Sequence, residues 1–147
     1  MLLHCFHTEF KLYFVMPFIR GGELFHHLAN ARSFSEERAR RLTFQLALAL
    51  GHLHSKKIIY RDLKPENLML DTEGYIKVID FGFSKEVDGY TYTVCGTPDY
   101  IAPEIITMQG HTRAVDYWSL GVLIYEMILG VPPFGTTNES EQQVYNN

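Results

Sequence analysis

The sequence predicts an α+β fold in which helices dominate and the strands are short. Three observations carry this. Apolar residues recur at helical spacing over residues 35–55. A second apolar run, 114–129, has the length of a buried helix. Short β-branched or aromatic runs, bounded by turn residues, read as strands at residues 11–18, 58–60, 68–70 and 75–79.

The first element, K-L-Y-F-V-M-P-F at 11–18, reads as a buried strand whose hydrogen bonding Pro17 should end. Gly21-Gly22 breaks the chain, and residues 23–31 read as a short helix. Ser35 can cap the next helix, with Glu36 and Glu37 at the positive end of its dipole. Arg38 stands where a capping box needs Glu or Gln. Ala39, Leu42, Leu46, Ala49, Leu50 and Leu53 then form the apolar stripe. Asp71-Thr72-Glu73-Gly74 is a good turn between the third and fourth strands. From Asp80 to about Pro103 the pattern is irregular, and so long a loop inside a compact domain is usually functional or disordered. Residues 114–129 predict a helix buried on most sides. Gly130-Val131-Pro132-Pro133-Phe134 stops it, and Asn138 could cap a last helix.

The 147 residues suffice for one domain with a real core. A net charge of −4, with no offsetting basic cluster, weighs against nucleic acid as a partner. Lys56-Lys57 and Arg38-Ala39-Arg40-Arg41 read as solvated helix faces. Cys5 and Cys95 make neither a C-x-x-C pair nor a zinc spacing, which fits plain thiols in a reducing, intracellular setting, cytoplasmic or nuclear. No apolar run has the length of a membrane span, and residues 1–7 lack the basic start of a signal peptide.

The chemistry resides in a few polar residues. Asp62 and Asn67 are five apart in a loop between two strands, and Asp80 follows a third strand and opens Asp80-Phe81-Gly82. A carboxylate and an amide oxygen are hard ligands suited to Mg²⁺. A second carboxylate can orient a hydroxyl or take its proton. Lys64, two residues after Asp62, could face a transferred phosphoryl group as a point charge. Each residue alone is ordinary, since a lone loop Asp is usually a turn or cap. The joint order is specific: Y-R-D-L-K-P-E-N at 60–67, a hairpin, D-F-G, then Ala102-Pro103-Glu104.

These motifs resemble the catalytic loop, metal motif and activation-segment end of eukaryotic protein kinases, over essentially the whole chain. The sequence is most similar to the AGC group, which includes the cyclic-nucleotide-dependent kinases. Tyr60 replaces the usual His before Arg-Asp, and Gly82-Phe83-Ser84-Lys85 and T-V-C-G-T-P-D-Y at 93–100 also match that group. The resemblance implies a protein-kinase-like fold: residues 1–16 end the small lobe, 17–22 form hinge and linker, and 23–147 form a large lobe truncated at its C-terminal end.

It also implies roles. Asp62 is the catalytic base or orienting residue, Lys64 contacts the γ-phosphate, Thr97 bonds near both, and Asn67 and Asp80 hold Mg²⁺. Lys64 implies serine/threonine substrates. ATP would meet the hinge at Met16, Pro17 and Ile19, with Met69 under the adenine and Glu23 at the ribose. Pro17 has no N–H, but only its carbonyl is needed there. Thr93 matches an activation-loop phosphosite served by an upstream kinase, with Arg61 and Lys85 as candidate phosphate partners. Glu23, Glu66 and Glu126 match acidic positions that receive substrate arginines, so protein substrates with basic residues near Ser or Thr are expected. Val94, Pro98 and Ile101 match the pocket for the apolar residue that follows. Asp116 would bind backbone N–H groups of the catalytic loop.

The departures are as informative. No G-x-G-x-x-G loop and no V-A-I-K-type lysine precede the hinge. The chain therefore reads as a segment of a longer kinase, with Leu2, Phe6 and the hinge strand forming an exposed apolar patch and with little activity alone. One alternative is a truncated, non-catalytic binding or regulatory module. Another is an antibiotic-kinase-type phosphotransferase, which shares the Asp-x₄-Asn spacing but lacks Lys64-Pro65 and the 96–104 segment.

Overall fold

The computed structural model describes residues 2–134 and 141–145; the candidate cap at Asn138 lies outside them. β1 (His4–His7) and β2 (Leu12–Val15) pair as an antiparallel ribbon, with His4 opposite Val15 and His7 opposite Leu12. This corrects the expected buried strand at 11–18 in two ways. It stops at Val15, ahead of Pro17, which has no N–H to extend the ladder, and all its residues are exposed. A two-stranded ribbon gives each side chain little more than a cross-strand neighbour. Phe6 stacks on Tyr13 at 4.9 Å between ring centroids. The expected apolar patch of Leu2, Phe6 and the β2 side chains is present.

The linker after β2 lies directly on the next strand pair. A Cβ at Gly21 would sit 2.2 Å from Leu70 O, so only glycine permits this approach. Leu70 N donates to Gly22 O at 2.9 Å and fixes the contact. α1 (Leu24–Ala31) follows, burying Leu24 and Leu28. In α2 (Glu36–Ser55), Ser35 Oγ accepts from Arg38 N at 3.3 Å, the cap the sequence predicts. Such a cap is worth about 1 kcal/mol. The buried stripe of α2 is Ala39, Leu42, Leu46, Leu50 and His54. Ala49 and Leu53, expected in that stripe, are only half-buried.

β3 (Ile58–Ile59) pairs with β6 (Lys85–Glu86), and β4 (Leu68–Leu70) with β5 (Ile76–Val78), both antiparallel. Asp71 Oδ1 accepts from Glu73 N at 3.0 Å and Tyr75 N at 2.8 Å, which closes the β4–β5 turn. Both predicted strands are shortened by tertiary bonds. Tyr60 N donates to Asp116, and Ile79 N to Asn67 O. The segment read as irregular contains β6 and a 3₁₀ turn, Pro98–Tyr100, before α3 (Pro103–Ile106).

α4 (Ala114–Leu129) buries Val115, Leu120, Val122, Leu123 and Met127, and ends at Gly130 with φ 85°. It is buried on one face only. Tyr117, Tyr125, Ile128 and Leu129 are exposed, which corrects the expectation of a helix covered on most sides. α5 (Glu141–Val144) closes the described chain. The main core joins α1, α2, β4 and α4. A second, smaller core gathers Ile59, Ile101, Ala102, Ile105 and Val115. The loop after β3 runs between the two.

Candidate active site

The loop from Tyr60 to Asn67 is suspended from one buried carboxylate. Asp116, in the first turn of α4, is fully buried. It accepts from Tyr60 N at 3.0 Å, Arg61 N at 2.8 Å and His54 Nε2 at 2.7 Å. These three donors offset the cost of burying its charge. The structural role expected for Asp116 therefore has its geometry. His54 Nδ1 in turn lies 3.3 Å from the Tyr117 hydroxyl. Tyr60 is buried beside the loop and donates its hydroxyl to Ile79 O at 2.6 Å. Burial, with Asp62 and Asp80 nearby, pushes that phenol well above the usual tyrosine range, so it stays neutral.

Asp62 faces a fixed set of groups. Its Oδ1 accepts from the Thr97 hydroxyl at 2.9 Å, and its Oδ2 from Asn67 Nδ2 at 2.7 Å. Lys64 Nζ donates to Thr97 Oγ1 at 2.8 Å and lies 3.4 Å from Asp62 Oδ2. The four residues assigned to catalysis thus form one connected cluster. Thr97 reaches it because Gly96, at φ 121°, lets the segment lie on the loop; a Cβ there would meet Arg61 O at 3.1 Å.

Asn67 Nδ2 is committed to Asp62 O and Oδ2, which leaves its amide oxygen for another partner. Asp80 is exposed, has φ 56°, and uses Oδ1 to accept from Gly82 N at 2.9 Å. One carboxylate and one amide oxygen suit Mg²⁺, which keeps waters and phosphate oxygens as its remaining ligands. The described residues contain no group of three His, Cys, Asp or Glu that could cage a metal by themselves. The donor set thus fits a metal brought with phosphates.

Met16, Pro17, Ile19, Met69 and Asp80 line one cleft of about 930 Å³, together with Phe14 of β2 and Val78 of β5. α2 adds Ala49, His52 and Leu53 to its wall, which the sequence did not indicate. Glu23 is not among the lining residues; it pairs with His26 at 3.4 Å and bridges to Met69.

Glu126 accepts a hydrogen bond from the Tyr100 hydroxyl. Burial, with Glu66 and Asp99 nearby, raises its carboxyl above the usual glutamate range. Glu66 and Glu126 therefore share a field, with Asp99 as a third, unpredicted acid. No described contact joins Glu23 to them. Ile101 is buried against Ile105 and Val115 rather than open beside exposed Val94 and half-buried Pro98, so the three form no common described cavity.

Around the unmodified phosphosite, the two candidate phosphate partners bond elsewhere. Lys85 Nζ donates to Thr91 Oγ1 at 3.0 Å, not to Thr93, because Thr91 is pinned by a bridge to His111 while Thr93 is exposed. Arg61 uses Nε to donate to Phe83 O at 2.7 Å. Sequence reasoning missed His54, Tyr100, Asp99 and His111. His54 carried a signal, since it continues the α2 stripe four residues after Leu50.

The family model for the protein kinase domain matches residues 1–147. A "cAMP-dependent protein kinase, catalytic subunit-like" protein of Caenorhabditis elegans is 55% identical over 88% of this chain and 33% of its own length. The "Serine/threonine-protein kinase Sgk1" of Fundulus heteroclitus is 51% identical over 99% of this chain and 34% of its own length. The "cAMP-dependent protein kinase catalytic subunit" of Dictyostelium discoideum is 51% identical over 90% of this chain and 20% of its own length. The chain thus spans about a third or less of these curated relatives.

Proposed function

The chain belongs to the protein kinase family, and from that premise we propose that it carries the hydroxyl-orienting and metal-facing part of a serine/threonine kinase using ATP and Mg²⁺. The observation that carries this reading is the fixed carboxylate of Asp62, held by Thr97 on one oxygen and Asn67 on the other. An acceptor locked this way can orient a substrate hydroxyl in line with a phosphoryl group and receive its proton as the new O–P bond forms. Lys64 lies beside it, with its ammonium ready to meet phosphoryl oxygens. Asn67 and Asp80 would hold the metal, which supplies charge neutralisation on the phosphates. The apolar cleft at Met16, Ile19 and Met69 suits a flat purine.

The acidic field of Glu66, Asp99 and Glu126 favours protein substrates with arginine or lysine near the phosphoacceptor. Thr93 is exposed on the segment between D-F-G and Ala102-Pro103-Glu104, open to an upstream kinase. There its hydroxyl would take a phosphoryl group from ATP and release ADP. The free thiols of Cys5 and Cys95 support a reducing setting, cytoplasmic or nuclear, for this reading.

The direct test is phosphate transfer to a basic serine peptide by the full-length protein and its Asp62→Asn variant. The variant should keep nucleotide affinity and lose at least about 100-fold in rate. Wild-type turnover in Asp62→Asn would overturn the proposal.

A further inference from the structure

Among the described residues, two buried side-chain nitrogens have no hydrogen-bond partner: Arg61 Nη1 and His111 Nε2. Arg61 is 8% exposed and His111 2%. An unpaired buried polar group costs about 1–3 kcal/mol, and folded chains carry few of them. Here both occur in one neighbourhood. His111 exchanges backbone hydrogen bonds with Thr91, at 2.8 and 3.0 Å. Thr91 Oγ1 takes the Lys85 ammonium at 3.0 Å. The Nε–Phe83 O bond holds the Arg61 guanidinium and leaves Nη1 unused. Thr93 follows Thr91 by two residues, a reach of about 7 Å along the chain.

We propose that His111 is a ligand for phosphate carried on Thr93, completing with Arg61 and Lys85 a pocket of three nitrogen donors. The proposal rests on the reading of Thr93 as a modified residue and adds a group and a behaviour that reading does not contain. A phosphate brings roughly −1.5 to −2 charge and three acceptor oxygens. Arg61 and Lys85 alone leave a buried imidazole beside them unpaired.

The surroundings of the ring give the pocket a pH dependence. Burial, with Arg61 and Lys85 nearby, holds His111 below the ordinary histidine range, while Glu104 and Asp116 act the other way. Without phosphate the ring is therefore neutral near pH 7. A docked dianion outweighs the two cations and draws a proton onto the imidazole. Docking then takes up a proton. It weakens on the alkaline side as the imidazolium is lost, and on the acid side as the phosphate itself becomes monoanionic.

The test uses full-length protein phosphorylated on Thr93. The rate of phosphate removal by a phosphatase is measured between about pH 5.5 and 8.5, relative to a phosphopeptide of residues 87–99. Wild type should show bell-shaped protection. His111→Gln, which keeps a donor and similar bulk, should lose the alkaline limb and flatten the profile above neutrality. Arg61→Ala should lose protection throughout. An unchanged alkaline limb in His111→Gln, with Arg61→Ala unprotected, overturns the role of His111 alone. Wild-type phosphate as labile as the peptide's overturns the docking of Thr93 as well. Imidazole ¹⁵N spectra of the wild type give a readout independent of any variant's folding. Both ring nitrogens should carry the protonated signature on phosphorylation near neutral pH, and a ring that keeps one bare nitrogen overturns the proposal.

Discussion

Thr97 and Asp62 are 35 positions apart in the chain, yet the Thr97 hydroxyl donates to Asp62 Oδ1 at 2.9 Å. That one bond ties the segment after β6 to the loop after β3. It makes the orientation of the carboxylate proposed to act on the substrate hydroxyl depend on where a distant stretch of chain settles.

Thr97→Val should therefore slow phosphoryl transfer by roughly tenfold to a hundredfold, as expected for a misplaced reacting group. The loss should fall on kcat, while KM for ATP changes little. Thr97→Ser should recover most of the rate. Steady-state kinetics on the full-length protein check this, and equal rates for Val and Ser would contradict it.

Asp116→Ala leaves two backbone N–H groups and His54 without their acceptor. The expected cost is about 1–3 kcal/mol for each buried donor left without a partner. Denaturant unfolding should show a lower midpoint with little change in slope.

Glu126 is protonated at a higher pH than an ordinary glutamate, chiefly because it is buried. Only its charged form attracts arginine. Preference for an arginine-containing peptide over its alanine counterpart should fall as pH drops from about 7 to 5. Glu126→Gln should show weak preference at every pH. The ratio of kcat/KM for the two peptides across that range is the measurement.

Gly96→Ala places a Cβ at φ 121° and 3.1 Å from Arg61 O. Backbone held there by a non-glycine residue costs about 1–3 kcal/mol. Gly96 directly precedes Thr97, so a shift that relieves the strain should disturb the Thr97–Asp62 bond, and activity should fall further than stability does. Parallel melting curves and rate measurements separate the two effects.

Local structure was legible where the determinants are neighbours in sequence. The Ser35 cap, the 39–50 stripe of α2, the Asp71 turn and the Gly130 stop each need only a few adjacent residues, and each is present in the fold. The candidate site residues were legible for a related reason, since Asp62, Lys64 and Asn67 occupy one short loop. Tertiary packing decided the rest. Whether β2 is buried depends on what covers the ribbon, and a period of two cannot report that. Lys85 meets Thr91 because a bridge to His111, 20 residues further on, fixes Thr91 and leaves Thr93 outside. The pairing of Tyr100 with Glu126, and of His54 with Asp116, spans 26 and 62 positions. Bonds of that reach are set by how helices and loops pack, because the hydrophobic pattern fixes which face is buried but not which buried polar groups meet.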